Sequence, residues 1–366
     1  MMDNSFIALG LMSGTSLDGI DASIIKSDGE NNLDIIDNRY LNYPEEFRKK
    51  LSKFILNINK REDIDENIGT YKSLERDLTL YHSKISKKIL IENNLKVQLI
   101  GFHGQTIIHK PKDGYSLQMG DANLLSQELK EKVIYNFRAN DIKNGGEGAP
   151  LTAIYHKLLL NKFHINNPTL VLNIGGISNY TYSFKNILAS KDIGPGNVLI
   201  DEYLKKTKRI NYDRNGDIAS SGNINIDIIN QFYEHEFYNV QEKNSFDRKE
   251  FDFSFVKGLE FEDAVATLTY FTALVISQNI KKNFNNEIEI ILCGGGRKNL
   301  TLVNHLKKLL KYKIKLIDEF NIDGDFVESQ AFAYLSIRSY LKKIISYPNT
   351  TNVLSPVTGG EIKINY

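Results

Sequence analysis

The stretch Gly10-Leu11-Met12-Ser13-Gly14-Thr15-Ser16-Leu17-Asp18-Gly19-Ile20-Asp21 gathers small residues, hydroxyls and two carboxylates into one short run. Apolar, β-prone residues flank it on both sides within 5–25, so the pattern predicts a strand, a glycine-bearing loop and a second strand. Gly14 lets a ligand approach the backbone. Ser13, Thr15 and Ser16 add hydroxyls beside main-chain N–H groups, an arrangement suited to phosphate, although an ordinary hairpin turn has the same composition. The run is not a P-loop, which requires Gly-Lys followed by Ser or Thr, and it is not a Gly-x-Gly-x-x-Gly dinucleotide fingerprint.

The same plan recurs half a chain later. Leu170-Val171-Leu172 leads into Asn173-Ile174-Gly175-Gly176-Ile177-Ser178-Asn179, and Tyr180-Thr181-Tyr182 leads out, which hints at a duplicated domain. Between the two runs, Leu74, Leu78, Tyr81, Ile85 and Ile89 recur at spacings of three and four, the stripe of an amphipathic helix. Residues 97–102 read as a strand that breaks at His103-Gly104. Residues 264–276 read as a buried helix, too short and too interrupted by threonines to cross a bilayer. Residues 287–293 form another strand candidate, followed by Gly294-Gly295-Gly296 and helical patterns over 300–310 and 326–345. Alternating strands and helices predict α/β architecture with ligand loops at strand ends.

Composition narrows the function classes. The chain has 366 residues, 41% hydrophobic and 25% charged, which suits a globular protein of about two domains. Forty-six basic against forty-five acidic side chains leave a formal charge of +1, so no global field gathers nucleic acid or an anionic membrane. The single cysteine, Cys293, excludes an internal disulfide and fits a reducing compartment; with no signal-peptide pattern at the start, the cytoplasm is the expected location.

Several polar residues are candidates for chemistry. Asp192 precedes Ile193-Gly194-Pro195-Gly196-Asn197, a turn-like run expected to display its carboxylate from a loop edge, either as a turn former or as a general base. Asp121, Asp141 and Glu328 are further carboxylate candidates. His103 and His109 lack acidic or cysteine partners at zinc-site spacing. Gln105 and Thr106 suit a polyhydroxylated ligand, or are simply loop polarity. Arg138 offers a planar fork for a substrate carboxylate, or faces solvent like most arginines.

The first run, together with Phe102-His103-Gly104-Gln105-Thr106, Asn136-Phe137-Arg138-Ala139-Asn140-Asp141, Gly145-Gly146-Glu147-Gly148-Ala149-Pro150-Leu151, the run at 173–179, Asp192-Ile193-Gly194-Pro195-Gly196-Asn197, Asp213-Arg214-Asn215-Gly216 and Cys293-Gly294-Gly295-Gly296-Arg297-Lys298-Asn299, resembles in order the motifs of the anhydro-N-acetylmuramic acid kinases. The resemblance spans nearly the whole chain. It implies the two-lobed α/β fold shared by actin, hexokinase and the heat-shock chaperone ATPase, with ATP in the cleft. The expected lobes are 1–135 plus 346–366, bearing the first phosphate loop, and 136–345, bearing the second phosphate loop, the catalytic Asp and the base site.

The activity implied is ATP-dependent, with Mg²⁺ on the nucleotide: hydrolytic opening of 1,6-anhydro-N-acetylmuramic acid and phosphorylation of O6 during cell-wall recycling, by a homodimer. Carried over by motif, Asp192 activates the attacking water. Gln105, Thr106, Arg138 and Glu328 grip the sugar and its lactyl carboxylate. Gly10, Ser13, Gly14, Thr15, Ser16, Asp18, Gly19 and Asp21, with Asn173, Gly175 and Gly176, hold phosphates, while Gly294, Gly295, Gly296 and Asn299 hold the nucleoside. In the wider superfamily an Asp usually stands two residues before the loop glycine, where this chain has Met12. Asp18, Asp21 or ordered waters are therefore the open choices for the metal. A levoglucosan-type anhydrosugar kinase and an actin-like or chaperone-like ATPase are the rival readings.

Overall fold

The computed structural model describes residues 5–14, 16–234, 251–284 and 287–366, so Thr15 lies outside the described residues. The chain divides into two compact units, residues 1–165 with 326–366 and residues 166–325. The breaks expected at 135 and 345 thus move to 165 and 325. Residues beyond 135 stay with the first unit because its loops and the helix Ala153–Lys162 bond back into it: the Lys162 ammonium donates to the Leu33 carbonyl at 2.5 Å, and the Tyr155 hydroxyl donates to Gln330 Oε1 at 2.9 Å.

In the first unit, β1 (Phe6–Ser13), β2 (Gly19–Ser27) and β3 (Leu33–Asn42) form an antiparallel meander. Next, β4 (Leu99–Lys110) pairs parallel to β1, and β5 (Tyr115–Met119) pairs antiparallel to β4. Finally β6 (Lys132–Tyr135) lies parallel to β4, with a C-terminal strand Glu361–Lys363 antiparallel to β6 at the edge. In the second unit, β7 (Thr169–Ile174), β8 (Ile177–Phe184) and β9 (Ile187–Pro195) form another antiparallel meander. There β10 (Glu289–Cys293) pairs parallel to β7, and β11 (Lys313–Leu316) parallel to β10.

The two sheets therefore share one strand plan, a meander whose first strand is flanked by parallel strands. Such repetition supports the duplication suggested by the paired glycine runs. The α/β class expected from the alternating pattern is present throughout.

Long helices follow the apolar stripes. Ile68–Glu92 buries Leu74, Leu78, Ile85 and Ile89, with Tyr81 packed against the same core. Phe261–Asn283 is longer than the expected 264–276, because Glu262 and Asp263 suit its first turn and Lys281 and Lys282 its last. Among the described residues no helix is long and apolar enough to cross a membrane.

One contact fixes how the first sheet is covered. Gly10 on β1 and Gly101 on β4 are register partners. The helix Val327–Tyr340 crosses directly over them: a Cβ on Gly10 would lie 1.9 Å from the Ser329 carbonyl oxygen, and one on Gly101 would lie 2.1 Å from that of Phe332. Two glycines side by side thus let helix backbone rest on strand backbone, closer than any side chain permits.

Gly10→Ala should destabilise the fold by about 1–3 kcal/mol through overpacking, read as a lower urea midpoint. Gly69→Ala, on the Ile68–Glu92 helix with nothing within 4 Å of its Cβ, should raise the midpoint by roughly 0.5–1 kcal/mol instead.

Candidate active site

In the first unit the candidates gather where β1 ends beside the middle of β4. A register shift after Leu11 brings Ser13 opposite Gln105. Ser13 Oγ lies 2.7 Å from Gln105 Oε1 and 2.9 Å from the Tyr43 hydroxyl, with both Ser13 and Gln105 almost wholly buried. A hydroxyl has one proton, so Ser13 donates to Gln105 and accepts from Tyr43. Its side chain is spent on holding Gln105; what it presents to a ligand is backbone. The turn closes with the Leu17 N–H donating to the Gly14 carbonyl at 3.2 Å, and the nearest atom to a Cβ on Gly14 would be Ser16 Oγ at 3.8 Å.

Exposed Ser16 donates to exposed Asp18 at 2.5 Å. Asp21 is half-buried one pleat below, and Gly19 is pressed under the Tyr40 ring, where a Cβ would meet Cζ at 2.6 Å. Burial, with the Asp18 and Asp21 charges, pushes both the Tyr40 and Tyr43 phenols up, so both remain protonated donors. Gly10, by contrast, faces the crossing helix and serves packing.

Gln105 and Thr106 were expected on a loop beyond residue 102. They lie in mid-strand, because β4 runs on to Lys110 by pairing with β5. This extension lines up polar groups: Gln118 Nε2 donates to Ser116 Oγ at 2.8 Å, and His109 Nδ1 lies 2.9 Å from the same oxygen.

Arg138 is anchored from two sides. Its Nη2 and Nε reach His103 Nε2 at 2.8 and 3.2 Å, and its Nη1 donates to the Gly148 carbonyl at 2.6 Å. His103 Nδ1 lies 2.9 Å from the Gly104 carbonyl, so that nitrogen carries the proton and Nε2 accepts. Burial and the Arg138 charge hold His103 well below its usual range, neutral as this pairing requires.

Asp141 is buried, not displayed. It accepts from the Gly148 N–H at 2.6 Å and from the Thr351 hydroxyl at 2.5 Å, tying the 145–148 glycine turn in place, and burial pushes its carboxyl up. Asp121 caps the helix Ala122–Leu129 by accepting from the N–H groups of Asn123 and Leu124. Glu328, half-buried, opens the helix Val327–Tyr340.

In the second unit the candidates gather at the ends of β7 and β10, which run parallel with Asn173 opposite Cys293. The Gly175-Gly176 turn is fastened to the start of the helix Val198–Lys208: the Gly196 and Asn197 N–H groups donate to the Gly176 and Gly175 carbonyls at 2.9 and 2.8 Å. A Cβ on Gly294, whose φ is 78°, would strike Asn173 Oδ1 at 2.3 Å, and one on Gly296 would strike Ile174 Cγ2 at 2.2 Å. Gly295 alone of the three is open. Asn299 caps the helix Leu300–Leu309, its Oδ1 accepting from the Leu302 N–H at 2.9 Å.

Asp192 does not sit at a loop edge. It is 7% exposed and lies within β9, opposite Asn179 on β8, because residues up to Pro195 keep pairing with β8. Gly194, at φ 135°, allows this by clearing Val275, whose Cγ1 a Cβ would meet at 2.6 Å. The register puts Asn173, Asn179 and Asp192 in one row on one face of the sheet. Asn179 Oδ1 in that row is buried without a hydrogen-bond partner.

Two site-building residues escaped the sequence reading. Tyr43 completes the Ser13–Gln105 network from beyond β3. Arg297, its side chain 4% exposed, donates to Asp318 Oδ2 and Oδ1 at 2.7 and 2.8 Å, to Asp323 at 3.1 Å, and to the Gly294 carbonyl at 3.1 Å, so it fastens the triple-glycine turn to residues 318–325. The run Asp318, Asp323, Asp325 ahead of a helix was the available signal.

Each cluster includes the carboxyl end of a parallel strand, Ser13 of β1 in the first unit and Asn173 and Cys293 of β7 and β10 in the second, where α/β sheets place ligands. Open glycine turns, hydroxyl and amide groups, an anchored arginine and a buried carboxylate can hold phosphate and a polyol and can move one proton. For Mg²⁺, which binds through one or two carboxylates plus phosphates and water, exposed Asp18 next to the Gly14 turn is a suitable donor. Among the described residues no cluster of three or more His, Cys, Asp or Glu forms a ready-made metal cage.

A family model described as Anhydro-N-acetylmuramic acid kinase matches residues 6–364. The chain is 50% identical to a Pelagibacter ubique protein of that name, covering 100% of both chains, and 37% identical to the Zymomonas mobilis one, covering 97% of this chain and 99% of that one. Among solved structures it is similar to an activator of 2-hydroxyisocaproyl-CoA dehydratase from Clostridium difficile, at 13% identity and TM-score 0.46, covering 90% of this chain and 94% of that one. The chain belongs to the anhydro-N-acetylmuramic acid kinase family.

Burial lowers the pKa of five histidines: His82 to about 4, His109 and His156 to about 3, His103 well below its usual range, and His305 as well. The unfolded chain takes up these protons near pH 6.5 while the folded chain refuses them, so stability is full above that pH and falls below it. The unfolding free energy from urea titrations between pH 7 and pH 4.5 should drop by up to about 1.4 kcal/mol per pH unit for each of these residues, and His156→Gln should flatten the slope.

Proposed function

We propose that this member of the anhydro-N-acetylmuramic acid kinase family is an ATP-dependent sugar kinase that opens 1,6-anhydro-N-acetylmuramic acid with water and phosphorylates O6, giving N-acetylmuramic acid 6-phosphate and ADP in cell-wall recycling. The full-length likeness to relatives of that name carries the reading.

Asp192 is the general base. It takes a proton from the water that attacks the anomeric carbon; the bond from that carbon to O6 breaks, and O6 leaves with its electron pair and accepts the γ-phosphoryl group as ADP departs. A base held in a strand rather than on a loop is well placed for this work, since its carboxylate cannot swing away as the bond breaks. Its row partner Asn179 offers an amide beside it. The Gly14 turn and the Gly175-Gly176 turn present backbone N–H groups to phosphates, and open Gly295 lets the nucleoside lie against backbone.

Mg²⁺, held by the phosphates with Asp18, supplies charge neutralisation for the transfer. Gln105, kept in one orientation by Ser13, and Thr106 take sugar hydroxyls. Arg138, oriented by neutral His103, takes the lactyl carboxylate. The protein acts in the cytoplasm as a homodimer, with neither nucleic acid nor membrane as partner.

Asp192→Asn should keep nucleotide and sugar binding but lose roughly two to four orders of magnitude in kcat, measured by coupled ADP release. Mass spectrometry of the wild-type product should show a 6-phosphate carrying one solvent oxygen. ADP release with levoglucosan only, or without any sugar, would move the protein to one of the rival activities. Arg138→Ala should raise KM for the lactyl-bearing sugar at least tenfold and leave turnover of anhydrosugars without that group unchanged.

A further inference from the structure

At the opposite end of β1 from the Ser13–Gln105 pair, the β2–β3 turn, the helix Ala153–Lys162 and the last turn of Val327–Tyr340 line a cavity of about 210 Å³. Glu30, Lys157, Asn161, Tyr334, Arg338 and Tyr347 supply its polar wall.

The charges there do not balance. Arg338 is 8% exposed, yet among the described residues it meets only neutral acceptors: the Ile344 carbonyl at 2.8 Å, the Gly29 carbonyl at 2.7 Å and the Tyr334 hydroxyl at 3.3 Å. Its guanidinium also lies over the Tyr334 ring, 5.7 Å from the centroid. Half-buried Lys157 forms no ion pair among the described residues. Among the described residues the one carboxylate on the wall, Glu30, is already taken by Lys343. Buried arginines are ordinarily matched by a carboxylate, and a cavity with two cations and no free anion is complementary to one. Ile154 and Leu158 give the same cavity an apolar floor.

We propose that this cavity binds a small organic oxyanion, a carboxylate or phosphate monoester on a short body, with its charged head at Arg338 and Lys157 and its body against Ile154 and Leu158. The site is separate from the candidate active site. Arg338 stands ten residues beyond Glu328 on one helix, about 15 Å at the rise of an α-helix. A bound anion would reinforce the ties from Arg338 to Gly29 and Ile344 that fasten the end of that helix.

Calorimetric titration with inorganic phosphate, acetate and chloride at constant ionic strength examines this, using the full chain and Lys157→Met, which keeps the apolar stem and lies outside the catalytic machinery. Phosphate or acetate should bind the wild-type chain, and Lys157→Met should weaken that binding roughly ten- to hundredfold while its anion-free melting temperature and its turnover stay at wild-type values. Phosphate binding without acetate would assign a phosphate monoester, and binding of both would assign any oxyanion. Equal binding to both proteins, binding of chloride as strong as the others, or no binding at 50 mM would each overturn the proposal. Because turnover is read separately, a failed kinase assignment would not be mistaken for a failed anion site.

Discussion

The bare contact between the Val327–Tyr340 helix and the glycines at 10 and 101 is the constraint on which the first unit depends. With no side chain intervening, the helix lies low enough for Phe332 to reach the His103 ring at 4.5 Å and the Phe137 ring at 5.4 Å. His103, so wedged, has one orientation available, and Arg138 inherits it. Ser329 on the same helix joins the buried chain of Ser23, Asn38, Gln330 and Tyr155, with Ser23 Oγ 2.6 Å from Ser329 Oγ and 2.7 Å from Asn38 Oδ1. These polar groups are satisfied only while helix and sheet keep that spacing, so the packing and the hydrogen-bond network enforce each other.

The second unit solves a similar problem with charge. Its triple-glycine turn has little side chain to pack and is held by Arg297, whose several donors are shared among Asp318, Asp323, Asp325 and the Gly294 carbonyl. A buried arginine gains from such pairing only when its donors are satisfied together, and the fork geometry of guanidinium permits that where lysine would not. Gly324 belongs to the same device, since a Cβ there would lie 2.5 Å from Arg297 Nε.

Much of this was legible in the sequence, and the misreadings have physical causes. The glycine runs, the helix stripe at 74–89 and the repeated hairpin plan are local patterns, and local patterns survive without knowledge of partners. Asp192 was misplaced because Gly194-Pro195 looks like a turn; at the end of a strand, proline needs no ladder donor and glycine clears Val275. Gln105 and Thr106 were misplaced because polar residues rarely occupy central strands, and what makes them tolerable there, Ser13, Tyr43 and β5, is remote in sequence. The role of Gly10 was beyond reach for the same reason: the backbone that rests on it comes from the far end of the chain. The row of Asn173, Asn179 and Asp192 leaves no local pattern at all, since it exists only once three strands pair in register.

The first unit is assembled from both ends of the chain, with the whole of the second unit inserted in between. On the ribosome, the strands that carry Gly10 and Gly101 emerge early, but the helix that covers them is among the last segments made. Through most of synthesis the face around Ala8 and Gly10 must wait uncovered, whereas residues 166–325 are contiguous in sequence. The outer unit can therefore close only when the tail returns, while every segment of the inserted one is already made by then. A chain ending at residue 325 would lack both the Val327–Tyr340 helix and the edge strand Glu361–Lys363, and its first unit would be left incomplete.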